Sequence, residues 1–234
     1  MPYFNSNKTK LYYKIVGSGT PVVLIAGLAS HHRSWGFQLI YLKKWFKLIT
    51  FDNKGIGFSM GGMIALEYAA KNPDRVRSLV LSSLPVLEDL GSFDTFISEL
   101  NPVLTKSNSN QVFQTLATMF FSSDFLKCKQ YEILADFFGK NLNLCPPETV
   151  SWQIYAIREW LLLKNWTIGC NCPCMMIFGS EDKLVPVKNA MAITSKFFPH
   201  AIKKVIKGAG HAVHIERPKQ FNKSVYSFLK SHTC

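Results

Sequence analysis

Ser59, Asp182 and His211 are the residues whose types and order could do chemistry in this 234-residue chain. A serine hydroxyl is a weak nucleophile. It needs a base beside it, and the base needs a group to orient it. Ser59 lies in Gly57-Phe58-Ser59-Met60-Gly61-Gly62. This is the G-x-S-x-G pattern of a nucleophile elbow, a sharp strand-to-helix turn that lifts the hydroxyl clear of the backbone. Glycines two positions either side of the serine relieve the crowding such a turn creates. Asp182 ends Gly179-Ser180-Glu181-Asp182, with Glu181 as its close rival, and His211 ends Gly208-Ala209-Gly210-His211. The interval between acid and base holds one helix and one strand. Each therefore sits on a loop at the carboxyl end of a parallel strand, where sites gather in open α/β sheets. Acyl transfer also needs donors for a developing oxyanion. The backbone N–H of Met60 supplies one and the loop at Leu28 the other.

The elements that must position these residues follow from periodicity. Lys10–Val16 is strand-like, and Val22–Ala26 is a continuously apolar strand of the kind buried on both faces of a parallel sheet. Trp35–Trp45 carries apolar residues at helical spacing, Phe46–Phe51 is the next strand, and a helix follows the elbow. Pro73-Asp74-Arg75 breaks the chain before a strand over Val76–Leu81. Residues 85–168 change character, with helical patterns over Phe93–Leu100, Val112–Phe121, Phe125–Phe138 and Val150–Leu163, punctuated by Asn101-Pro102 and Cys145-Pro146-Pro147. Strands return at Cys174–Phe178 and Ala201–Ile206, and a last helix covers Pro218–Lys230. Strands alternating with helices predict an α/β fold, a mostly parallel central sheet flanked by helices.

Composition narrows the function classes. The formal charge is +12, but the lysines are scattered, and no nucleic-acid motif accompanies them. The basic residues read as a solvated surface and not as a nucleic-acid interface. No apolar run reaches the ~18 residues of a membrane span, and the N-terminus lacks the features of a signal peptide. The expectation is a cytoplasmic protein. Cys170, Cys172 and Cys174 alternate, but no second pair completes a zinc pattern. They read as free thiols, with no metal site.

These motifs together resemble the α/β-hydrolase fold family, its esterase, lactonase and lid-bearing members. The resemblance rests on Leu24-Ile25-Ala26-Gly27-Leu28, Phe51-Asp52-Asn53-Lys54-Gly55, Gly57–Gly62, and the acid and histidine motifs above. Ala26 stands where members often have histidine. The resemblance implies hydrolysis of a small ester, lactone or related acyl bond through an acyl-enzyme. Ser59 would be the nucleophile, His211 the base, Asp182 the acid and the N–H groups of Leu28 and Met60 the oxyanion hole. No cofactor is implied. It also implies a core of residues 1–84 and 169–234 with residues 85–168 as a helical cap. His214 reads as a packing or helix-cap residue, His31 and His32 as rim or surface, and Asp52 as a structural tie. Phe113, Met119, Phe120 and Phe121 read as lid core or as the wall of an acyl pocket. The partner is a small-molecule acyl substrate, and a homo-oligomer is compatible with the sequence.

One segment departs from the family pattern. The resemblance implies a helix and a further strand, roughly forty residues, between Gly55 and the elbow. Here Gly55-Ile56-Gly57 runs straight into Phe58-Ser59. Either Phe46–Phe51 moves into the elbow-strand slot beside Val22–Ala26, or it keeps its place and a gap opens that parts Ser59 from His211. Unpaired buried backbone groups cost about 1–3 kcal/mol each. The expectation is that the strand moves and that the lost helix leaves apolar surface bare. The second functional reading is an inactive shortened relative that binds a ligand or partner.

Overall fold

Two half-sheets form from the apolar runs. The computed structural model describes residues 3–6, 9–28, 30, 32–51, 57–86, 90–104, 109–141, 147–163 and 170–232. Strands β1 (Tyr3–Ser6) and β2 (Thr9–Val16) make an antiparallel hairpin. β2 pairs antiparallel with β4 (Lys47–Phe51), and β4 pairs parallel with β3 (Pro21–Leu24). The second half holds β5 (Leu79–Ser82), β6 (Cys174–Gly179) and β7 (Ile202–Ile206), all parallel. Among the described residues the strand orders are β1-β2-β4-β3 and β5-β6-β7.

Helices cover these sheets, and each face has its own core. β6 is buried along its whole length, with side chains alternating between the two cores. Cys174, Met176 and Phe178 join the core under α2 (Met60–Lys71) and α8 (Val187–Phe197). Met175 and Ile177 join the core under α1 (Gly36–Leu42) and α10 (Pro218–Ser231). Between β5 and β6 the described residues are helical: α3 (Gly91–Leu104), α4 (Ser109–Phe120), α5 (Ser123–Leu126), α6 (Lys129–Asn141) and α7 (Pro147–Leu162). Two details differ from the sequence reading. Asn101-Pro102 falls inside the last turn of α3 and does not end it. The Phe125–Phe138 run is two helices, because the Ser122 hydroxyl caps a separate short helix by accepting the Phe125 N–H at 3.2 Å.

The expected strand shift does not occur. β4 keeps its place between β2 and β3, and the two halves of the sheet part between β3 and β5. Pairing and handedness hold β4 there. It is bonded on both sides, in register from Val16↔Leu48 to Tyr13↔Phe51 with β2 and from Pro21↔Lys47 to Leu24↔Thr50 with β3. Crossing to the other edge of β3 would forfeit the β2 ladder. With α1 kept on the α10 face, it would also turn the β3–α1–β4 crossover left-handed, against the strong rule for parallel connections. The gap costs less than anticipated because it is not left empty throughout. Gly57–Ser59 enters its carboxyl end and bonds to both sides: Phe58 N–H to the Ile25 carbonyl at 3.3 Å, Ser59 N–H to the Ser82 carbonyl at 2.9 Å, and Ser82 N–H to the Gly57 carbonyl at 2.6 Å.

The expected bare surface is present. Ile15, Ile49 and Val23 lie in one cross-strand row, and Ile15 and Val23 are 45% and 39% exposed. α1 and α10 cover only the opposite face of these strands, where Val22, Leu24 and Leu48 are buried.

Two glycines separate backbone fit from helix propensity. A Cβ at Gly61 would meet the Ala26 carbonyl oxygen at 2.7 Å and overlap that of Ile25, whereas a Cβ at Gly36 meets nothing within 4 Å. Gly61→Ala is expected to lower the melting temperature, at a cost of about 1–3 kcal/mol. Gly36→Ala, in the first turn of α1, is expected to raise it, through a stability gain of up to about 1 kcal/mol. Thermal unfolding followed by circular dichroism tests both.

Candidate active site

Ser59 heads α2 with φ 53° and ψ −122°, in the sparsely populated region that an elbow demands of its central residue. The neighbouring glycines make this conformation affordable. A side chain at Gly57 would overlap the Val80 carbonyl oxygen, and one at Gly61 would strike the backbone that leaves β3. Ser59 is half-buried, and its carbonyl accepts the N–H of Gly62 at 2.8 Å. The first turn of α2 thus presses on the Ile25–Leu28 segment. The side chains of Leu28 and Met60 share one core. Among the described residues no acceptor takes the backbone N–H of either.

Asp182 and His211 meet at the carboxyl ends of β6 and β7. Asp182 Oδ2 lies 2.8 Å from His211 Nδ1, and Oδ1 lies at 3.1 Å. Asp182 Oδ1 also accepts the N–H groups of Leu184 and Val185 at 3.0 and 2.9 Å, which fixes the carboxylate. Both side chains are buried. The bond to Nδ1 leaves Nε2 free to act as a base. Glu181, the rival acid, is exposed.

The ring of Phe58, adjacent to Ser59, lies 5.1 Å from the His211 ring. No hydrogen bond joins Ser59 to His211 among the described residues. In unliganded enzymes such bonds are often long and tighten only on substrate.

Several residues of this region escaped the sequence reading. Glu216 is buried, and its carboxylate accepts from Gly210 N–H at 2.9 Å, from Ser122 N–H at 3.2 Å and from the Ser122 hydroxyl. It joins the histidine loop to the helical segment, and the Arg217 guanidinium stands 4.0 Å away. Ala212 N–H bonds the Phe120 carbonyl at 3.0 Å, and the Phe120 ring stacks on His211 at 5.6 Å. Ser83, at φ 49°, donates its hydroxyl to the His211 carbonyl at 2.8 Å. A lone acid five positions past the histidine, in a basic tail, was the one available signal for Glu216.

The remaining candidates take structural places. Phe121 packs on Phe125 in the core, 5.0 Å between rings. His32 packs on Tyr12 at 4.8 Å. His31, Asp52 and the Phe113 side chain lie outside the described residues. Cys128, Cys170, Cys172 and Cys174 are free thiols; the hydrogen bond with Cys172 lowers the Cys170 pKa, but the hydrogen bond with Cys174, burial and the Cys174 charge outweigh it and push the thiol up to about 12. Among the described residues, no group of three or more His, Cys, Asp or Glu could hold a metal ion.

Comparison with known proteins agrees with this fold. A sequence profile described as alpha/beta hydrolase fold matches residues 53–218. The chain belongs to the α/β-hydrolase fold family. It is 26% identical to a pimeloyl-[acyl-carrier protein] methyl ester esterase of Proteus mirabilis, over 92% of this chain and 95% of that protein. It is 22% identical to a non-heme chloroperoxidase homologue of Synechocystis, over 98% of this chain and all of that one. That alignment spans 276 positions, so the relative carries residues that this α/β hydrolase lacks. Among solved structures, the enol-lactonase of Burkholderia xenovorans superposes with a TM-score of 0.83 at 19% identity, covering 98% of this chain and 100% of that one. An esterase of Thermogutta terrifontis gives 0.80 at 18% identity, covering 96% and 94%.

His214 supplies a pH test of this region. It is fully buried between Trp35, Phe58 and Phe221, at 4.6, 4.5 and 6.0 Å between rings, and neither ring nitrogen has a partner. Burial first, and the nearby His211 charge second, push its pKa down to about 3. An unfolded histidine titrates near 6.5. Between those values the unfolded chain binds the extra proton, so stability falls as pH is lowered through that window. The melting temperature is expected to drop between pH 7 and pH 4, and His214→Phe is expected to flatten that slope.

Proposed function

We propose that this α/β hydrolase is a serine hydrolase that cleaves a small ester, lactone or related acyl bond through an acyl-enzyme. The observation that carries the reading is the positive-φ Ser59 at the head of α2, together with the buried Asp182–His211 pair, on whose imidazole the ring of the preceding residue, Phe58, packs. The esterases and the lactonase among its relatives support the bond class.

In this reading His211 Nε2 takes the Ser59 hydroxyl proton as Oγ bonds to the acyl carbon. The carbonyl oxygen becomes an oxyanion facing the N–H groups of Leu28 and Met60. Asp182 holds the imidazole in the tautomer that accepts at Nε2 and stabilises the imidazolium. The imidazolium then gives its proton to the departing alkoxide oxygen. Water, deprotonated by the same imidazole, releases the acid and restores Ser59. Residues 85–168 serve as the cap, and Phe120, stacked on His211, walls the acyl pocket. No cofactor or metal enters these steps.

The inactive reading has its own support in the absent Ser59–His211 bond and the open sheet. A fluorophosphonate probe separates the two. Labelling of the folded, monodisperse chain that vanishes in Ser59→Ala supports the hydrolase, and no labelling overturns it. For an active chain, Asp182→Asn is expected to lower kcat on a small p-nitrophenyl ester by roughly 10⁴, with little change in KM.

A further inference from the structure

A cavity of about 690 Å³ fills the slot between β3 and β5. The slot is one strand wide. At its carboxyl end a single backbone, Phe58-Ser59, reaches the Ile25 carbonyl on one side and the Ser82 carbonyl on the other, at 3.3 and 2.9 Å. Below that plug both edges turn backbone polar groups into the space. Bonding direction alternates along a strand. The Thr20 carbonyl accepts the Lys47 N–H of β4 at 3.1 Å, while Ile25 faces the slot, so Val23 faces the slot too. The Leu79 N–H bonds Pro173 on the β6 side at 2.9 Å, while Ser82 faces the slot, so Val80 does as well. Among the described residues nothing takes the N–H or C=O of Val23 or Val80. Three side chains bordering the cavity also end in buried polar atoms without a partner: Trp35 Nε1, Gln38 Oε1 and Ser82 Oγ.

Val80 is buried, and buried backbone groups in native proteins are paired. An apolar wall with two unpaired strand edges calls for another strand, which a hydrocarbon ligand does not supply. Among the described residues no strand lies between β3 and β5 below the plug. The far mouth of the slot is basic, with Arg75, Arg77 and His232 on its rim, in a chain of net charge +12.

We infer that this slot binds an extended segment of a partner protein as an added strand. The segment is apolar over about four residues, runs parallel to β3 and β5, and is preceded by acidic residues that face Arg75 and Arg77. Its alternate side chains meet Leu42 and Val225 on one face and Ile64 and Tyr68 on the other. Burial on both faces is the environment that apolar parallel strands occupy.

The test uses the full chain and a fluorescein-labelled peptide, Glu-Glu-Val-Ile-Val-Val-Gly-amide, read by anisotropy and by amide hydrogen exchange. Saturable binding with slowed exchange at Val23 and Val80 is expected. Replacing the two glutamates by lysines, or Arg77→Glu in the protein, is expected to weaken binding on the order of tenfold at low salt. A peptide with proline at alternate positions, which lacks the N–H donors, is expected not to bind. Equal binding of the proline peptide overturns the inference, as does absence of any peptide binding. So does saturation by dodecanoate without protection of the two amides, or a homodimer in which they are already protected. None of these readouts depends on Ser59, so failure here leaves the hydrolase reading standing.

Discussion

Phe58 N–H to Ile25, Ser59 N–H to Ser82 and Ser82 N–H to Gly57 are the backbone bonds that span the seam between the two half-sheets. Every part of the site is built around that seam. The bonds place the elbow one strand away from each half-sheet, and they fix the start of α2 against the turn that follows β3. They work only because Gly57 and Gly61 let backbone approach backbone where a Cβ would collide. A single connection therefore sets the backbone of Ser59 at the head of α2 and its approach to the turn after β3.

The histidine side of the site is held by a different device. Glu216 gathers the N–H of Gly210 with the N–H and hydroxyl of Ser122, so one buried carboxylate ties the β7 loop to the helical segment. Charge-assisted bonds of this kind are short and directional, and a buried carboxylate left unpartnered would be costly. Ser83 holds the His211 carbonyl from beneath, and Phe120 lies against the ring. The imidazole is thus positioned by contacts from three separate stretches of chain. Any motion of the helical segment is coupled to the histidine through the same contacts.

Much of this was legible beforehand because the signals are local. The elbow needs glycines at fixed offsets from a serine, and those offsets are visible at Gly57 and Gly61. The apolar run Met175–Phe178 is a strand buried on both faces, and Asp182 and His211 fall where a parallel strand ends. Val22–Ala26 reads the same way, but β3 buries one face only and leaves Val23 exposed. Phe120 and Phe121 could not be told apart by spacing, since adjacent residues at the end of α4 diverge only once their neighbours are known. One faces His211 and the other fills the core. Glu216 looked like any other acid, because its partners lie 94 and 6 positions away.

The sequence by itself determined the family, the α/β alternation, the order of serine, acid and histidine, and the fact that a helix and strand are missing. Each of these is written in nearest-neighbour chemistry or in a period of two or 3.6 residues. Only the tertiary structure decided what the shortened chain does about the loss. An estimate from unpaired backbone groups favoured moving β4. The fold keeps it, because β4 is paired on both edges and its crossover from β3 has a fixed hand. Those are relations among segments far apart in the chain. They leave an unfilled slot beside an intact elbow, which no local pattern could have shown.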